Sequence, residues 1–374
     1  MVDLEGQYEK IKSEVDEAIE RVIRSTAFIN GPEVKAFQQE LETYLGVKHV
    51  IPCANGTDAL QIALMGLGLQ PGDEVITSNF TFIATVEVVA LLGLKPVLVD
   101  VDPETFNLIP EQVEAAITPK TKAIVPVHLF GQCANMDAIL DIANRHRLFV
   151  VEDTAQAIGA TYRHSNGQTS KAGTMGHIGT TSFFPSKNLG CYGDGGALYT
   201  NDDALADRMR KITNHGQSER YYYAEVGVNS RLDSLQAAIL RIKLRQLDSY
   251  AAARQQAADR YDAAFAASPG IKTPVRASYS SHVFHQYTLR VEPGARNALQ
   301  QHLADQGIPA MIYYPVALHS QKAYADLGMK DGSFPNTLQL CQSVISLPMH
   351  TELDAEQQDF IAGHVLEFMK QKVS

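Results

Sequence analysis

Only four cysteines occur in the 374-residue chain. Cys53, Cys133, Cys191 and Cys341 lie far apart and form no CxxC pair. That excludes a cysteine-built zinc site and a disulfide framework, so a reduced, cytoplasmic protein with no metal is expected. No apolar run approaches the roughly 18 residues of a membrane span. Residues 1–10 are polar and mixed in charge, without the apolar core of a secretory signal. Basic residues are not in excess either: the formal net charge is -10 and the pI about 5.6. A nucleic acid or an anionic membrane surface needs a basic footprint, so neither is expected as a partner. A small anionic ligand held by a few local cations stays open. There is no internal repeat and no low-complexity linker. Hydrophobic residues at 45% and charged residues at 20% suit a large buried core.

What the chain does contain is alternation. Helical stretches are expected at 57–68, from Thr81 to about Leu92, near 110–117 and near 135–147. Between them stand short apolar strands at 74–78, 95–101, 123–129 and 148–153. Such βαβ alternation predicts an α/β fold with a mainly parallel sheet flanked by helices. Continuous apolar strands fit burial on both faces. Two more strands, 180–184 and 196–200, flank a glycine-rich loop. From Leu232 a long helix is expected to about Ala267, with Leu232, Leu235, Ile239 and Ile242 on its buried face. Strands at 286–291 and 310–314 around a helix near 295–306 suggest a smaller C-terminal α/β domain. The expected division is 1–245, the N-terminal segment and large domain, and 246–374, the small domain.

Three segments carry candidate chemistry, each at the end of an expected strand, where ligands of parallel α/β sheets bind. The first is Asn55-Gly56-Thr57-Asp58-Ala59-Leu60, opening a helix. Gly56 permits close backbone approach, Thr57 can cap the helix, and free N–H groups there suit a phosphate. A capped helix and nothing more is the bland alternative. The second is Val150-Val151-Glu152-Asp153-Thr154-Ala155-Gln156, which aims a carboxylate at the ligand crevice or caps the next turn. The third runs from Thr181 through Ser182 and Lys187 to Gly196. A lysine between a strand and a glycine-rich loop is oddly placed for a solvated charge. A desolvated lysine loses its proton readily and becomes nucleophilic.

Together with Asn229-Ser230-Arg231-Leu232-Asp233, these segments resemble the DegT/DnrJ/EryC1/StrS sugar aminotransferases. These are fold-type I enzymes that depend on pyridoxal 5'-phosphate (PLP). The resemblance runs from about Asp3 to the last strand. It implies that Lys187 holds the cofactor as a Schiff base and serves as the proton-carrying base. Asp153 would pair with the pyridine nitrogen, where a carboxylate keeps the ring a good electron sink. It places Gln156 near the phenolic oxygen, and Gly56, Thr57 and Ser182 at the phosphate. Phe82 would stack on the ring; otherwise it is a core aromatic of an amphipathic helix. Asn229 would reach the phosphate in a neighbouring subunit, making an obligate homodimer with shared sites. A subset of the family carries histidine in place of the lysine and dehydrates its substrate, which Lys187 disfavours.

Within the family the segments 53–61, 185–196, 215–217 and 226–238 look most like enzymes that aminate C3 of a UDP-linked N-acetyl-3-keto-hexuronic acid with glutamate. The resemblance makes His215, Arg220, Tyr222, Arg231, Tyr313 and Tyr314 candidate sugar contacts. Arg231 suits a carboxylate of the sugar or of glutamate. Tyr313-Tyr314-Pro315 stands where His-Tyr-Pro is usual, so the contact at Tyr313 departs from the pattern. A 3-keto or 4-keto deoxysugar nucleotide is the alternative substrate, and a non-catalytic sensor of the same fold is the alternative function. A nicotinamide dehydrogenase is excluded, because Gly66-Leu67-Gly68 ends a helix and no third glycine follows.

Overall fold

A computed structural model describes residues 1–373. A seven-stranded sheet forms its centre, in the order His49–Cys53, Gly196–Thr200, Ile178–Ser182, Phe149–Asp153, Thr121–Val125, Glu74–Ser78, Lys95–Val99. Only Gly196–Thr200 runs antiparallel to its neighbours; the other strands share one direction. Six carboxyl ends therefore meet along one edge, with Gly196 among them.

Helices cover both sheet faces, as the apolar strands require. Val75, Ala123, Val125 and Val151 pack beneath the helices Gly56–Gly66, Ala84–Leu91 and Asp203–Ile212. Their neighbours Ile76, Ile124 and Val150 point to the opposite face, against Met136–His146. This one-in, one-out alternation buries every residue of Glu74–Ser78. The helix Pro32–Leu45 covers Val50, Ala197 and Tyr199 through Phe37 and Leu41. The helix Leu4–Ser25 lays Ile11, Val15, Ala18 and Val22 on Ala238, Ile239 and Ile242.

Beyond the sheet, the long helix expected from Leu232 is two helices, Ser234–Leu244 and Leu247–Phe265. Arg245 and Gln246 break it, and the first helix starts after Asp233, whose side chain accepts from Gln236 N. A three-stranded antiparallel sheet follows, ordered Ile271–Lys272, Tyr287–Val291, Val344–Leu347. It shares a core with Leu247–Phe265, Arg296–Asp305 and Ala355–Val373. The strand expected at 310–314 does not form: only Met311 bridges, to Ser346. Pro309 and Pro315 bracket the segment and supply no N–H to a ladder.

Candidate active site

The site grows from the carboxyl edge of the sheet. Ser182 ends one strand, and its chain continues through a loop pinned at both sides. Phe183 N donates to Gly195 O at 2.7 Å, Cys191 N donates to Phe183 O at 2.8 Å, and Lys187 N donates to Phe184 O at 2.8 Å. Asn188 Nδ2 ties the loop to Val283 O at 2.9 Å. These bonds hold Lys187 over the edge. Burial pushes its amine down to about 8, while the negative charge of Asp153 works against that shift. A surface lysine would show neither influence.

Asp153 ends the next strand and is 5% exposed. Its Oδ2 accepts from Thr85 Oγ1 at 2.9 Å and its Oδ1 from Ala155 N at 3.1 Å. Its backbone is paired too: Asp153 N donates to Pro126 O, and His128 N donates to Asp153 O. Beneath it, the fully buried His128 and Glu152 meet at 2.8 Å. His128 Nδ1 accepts from Ala134 N, which leaves the ring proton on Nε2 to be donated to Glu152. Glu152 also accepts from the backbone of Gly173, Met175 and Gly176.

Gln156 is buried, accepts from Phe130 N at 2.8 Å and donates to Tyr314 Oη at 3.1 Å. Burial raises the Tyr314 hydroxyl, which stays neutral. Across the edge, Gly56 begins its helix against Ser182: a Cβ there would lie 2.6 Å from Ser182 Cβ. Asn55, not Thr57, caps this helix, accepting from Asp58 N at 2.8 Å. Thr57 sits inside the first turn. The N–H groups of Gly56 and Thr57 have no acceptor within the described residues. The buried hydroxyl of Thr81 likewise has no partner. Open N–H groups at a helix start beside the Ser182 hydroxyl fit a phosphate. A fixed carboxylate facing a desolvated lysine fits a protonated pyridine ring and its aldehyde. The donor set therefore fits PLP.

Phe82 is 55% exposed and precedes the helix, which begins at Ala84 rather than Thr81. It is therefore no core aromatic. The remaining candidates sit further out. Arg231 is half-buried and donates to Asn214 Oδ1 at 3.4 Å, and Asn229 is exposed beside it, bridged to Asn214. Arg220 and Tyr222 project from the exposed hairpin Gln217–Tyr223, next to His215 at its base. Tyr313 is half-buried against Tyr314 at 5.9 Å between rings.

Some site residues carry weak sequence signals. Thr85 is the one hydroxyl residue among the apolar positions of its helix, and that marks it as a partner-seeking group. His285 is 6% exposed with Nδ1 unpartnered; burial, then Lys187 and Arg254, push its imidazole well below the ordinary value.

The pattern of the DegT/DnrJ/EryC1/StrS aminotransferase family matches residues 9–366. The chain belongs to that family. UDP-2-acetamido-2-deoxy-3-oxo-D-glucuronate aminotransferase of Pseudomonas aeruginosa is 48% identical, over 94% of this chain and 95% of its own. A pleiotropic regulatory protein of Geobacillus stearothermophilus is also 48% identical, over 99% of this chain and 98% of its own. The crystal structure of NtdA from Bacillus subtilis with bound cofactor PMP superimposes with a TM-score of 0.89. It is 33% identical, covering 97% of this chain and 82% of that one. This member of the family is an aminotransferase with the fold-type I architecture, and it uses PLP. No helix among the described residues is long and apolar enough to cross a membrane.

Proposed function

We propose that this aminotransferase moves the amino group of glutamate to C3 of a UDP-linked N-acetyl-3-keto-hexuronic acid, in the cytoplasm. The observation that carries the chemistry is Lys187, desolvated to about 8 and within reach of the charge of Asp153. The 48% identity to the 3-oxo-glucuronate enzyme supports the substrate.

When bound, PLP supplies an aldehyde that carries the amino group and a ring that takes up electron density. The chain supplies the rest. Burial favours the neutral amine of Lys187, the form that would hold the aldehyde. Lys187 Nζ would take the proton from Cα of glutamate and, with the sugar bound, deliver a proton to C3. Asp153, fixed by Thr85 and Ala155 N, would pair with the ring nitrogen. Gln156 would lie near the phenolic oxygen. Gly56, Thr57 and Ser182 would hold the phosphate, and Phe82 would cover the ring. Arg231 takes a carboxylate, and His215, Arg220, Tyr222, Tyr313 and Tyr314 line the nucleotide-sugar path. Asn229 is exposed, which suits contact with the phosphate in a second subunit of a homodimer.

The test is the reverse reaction: purified enzyme with 2-oxoglutarate and a panel of amino-sugar nucleotides. Glutamate should form fastest with the 3-amino uronate. Preference for 4-amino sugars would overturn the C3 assignment. Two relatives are named as a regulatory and as a sensory transduction protein. Retention of both Lys187 and Asp153 favours catalysis over a sensor role.

A further inference from the structure

We propose that the C-terminal half binds one divalent transition-metal ion, of the zinc class, between two helices. The ligands are His302 on Arg296–Asp305, and His364 and Glu367 on Ala355–Val373. Their three ligand atoms all lie within 4.8 Å of one another. His364 and Glu367 are three positions apart, so one helix face presents both. His364 Nδ1 and Glu367 Oε2 are 3.5 Å apart. A tetrahedral zinc ion with bonds of about 2.0–2.1 Å needs its ligands about 3.3 Å apart, so this pair already stands at that spacing. His302 completes the set by closing in by up to about 1.5 Å, a side-chain movement.

A second observation points to a ligand. His302 Nε2 and His364 Nδ1 are buried and have no hydrogen-bond partner. Buried polar atoms without partners are rare, and two in one cluster call for a common partner. The rings are held in place by aromatic neighbours. His302 lies 5.5 Å from the Phe368 ring, and Phe360 packs edge-on against His364 at 4.6 Å. Two imidazoles and one carboxylate are a borderline set that suits zinc, with water in the fourth position. The scarcity of cysteine bears only on thiolate sites and leaves this one open. None of the candidate active-site residues belongs to the cluster, so the ion would staple the two helices and take no part in amino transfer.

The experiment is calorimetric titration of chelator-washed holoenzyme with Zn2+. Wild type should bind about one ion per chain, and His302→Ala and His364→Ala should each weaken binding at least about tenfold. Glu367→Gln should weaken it less. Zn2+ should raise the melting temperature of wild type and not of the histidine variants, while transaminase activity and cofactor content stay at the wild-type level in all. Cu2+-loaded wild type should give an electron paramagnetic resonance spectrum with coupling to two imidazole nitrogens, a readout that needs no variant to fold. No binding at millimolar Zn2+, binding indifferent to both histidine substitutions, or a copper spectrum without two nitrogens would each overturn the proposal.

Discussion

Thr85 Oγ1 donates to Asp153 Oδ2 at 2.9 Å, linking the first turn of the helix Ala84–Leu91 to the end of the strand Phe149–Asp153. Ala155 N occupies the other carboxylate oxygen. The carboxylate is thus oriented from two sides before any ligand arrives. Hydrogen bonds to charged groups contribute about 1.5–3 kcal/mol. Thr85→Val should therefore lower kcat by about 10- to 100-fold with a smaller change in KM. Thr85→Ser, which keeps the hydroxyl, should restore most of the rate. Equal rates for Val and Ser would show that the bond does not orient Asp153.

Lys187→Ala should abolish transfer and covalent attachment of the cofactor. Borohydride treatment followed by peptide mass analysis should find the cofactor on Lys187 in wild type and nowhere in the variant. Turnover by the variant would remove Lys187 from its assigned role.

The amine of Lys187 also fixes a pH dependence. Its pKa falls from the ordinary 10.5 to about 8 on folding of the apoprotein. Between these values the unfolded chain holds a proton that the folded chain has released, so this group makes stability rise with pH through that window. Lys243, also pushed to about 8 by burial, acts in the same direction. Denaturant midpoints of wild type minus Lys187→Ala, measured from pH 7.5 to about 10.5, isolate the first contribution. The rate of cofactor uptake should rise through about pH 8 as the neutral amine appears. Asp153 holds that pKa up, so Asp153→Asn should move the uptake midpoint to lower pH. An unmoved midpoint would separate the two groups.

Much of this site is legible in the sequence because each part closes a strand. Asp153 and Ser182 are the last residues of their strands, and Asn55-Gly56 opens the first helix of the sheet. Strand ends are marked by apolar runs that stop, and these are local signals. Thr57 as the cap, and the helix start at Thr81, went astray by two and three residues. Side-chain competition for the same N–H groups decides such boundaries, and Asn55 wins it. The N-terminal helices carry their own signal: Ile11, Val15, Ala18 and Val22 are spaced for one buried face. The Tyr314–Gln156 and Asn188–Val283 bonds join residues 158 and 95 positions apart, and no local pattern announces such pairs. The failed strand at 310–314 differs from these, since Pro309 and Pro315 on either side of it are a local signal against a ladder.

Gly56 and Ser182 test the phosphate cradle. A Cβ at position 56 would lie 2.6 Å from Ser182 Cβ and 3.1 Å from its Cα. Gly56→Ala should destabilise by about 1–3 kcal/mol, as overpacking does, and reduce cofactor affinity. Adding Ser182→Gly removes the nearest clashing atom and should recover much of the denaturant midpoint. Cofactor affinity should stay low, because the hydroxyl is gone with it. Full recovery of affinity in the double variant would show that Ser182 does not touch the phosphate.

The buried His128–Glu152 pair lies directly under Asp153. Glu152 accepts from His128 and from three backbone N–H groups, so all its lone-pair directions are used. Glu152→Gln replaces one acceptor oxygen by an amide that can only donate, and aims it at donors that have nowhere else to turn. Leaving a buried donor without its acceptor costs about 1–3 kcal/mol. The urea midpoint should fall accordingly. Because His128 N also holds the Asp153 carbonyl, the variant should retain less cofactor at equal protein concentration. A variant of wild-type stability would show that the hydrogen bonds of Glu152 do not hold this strand end in place.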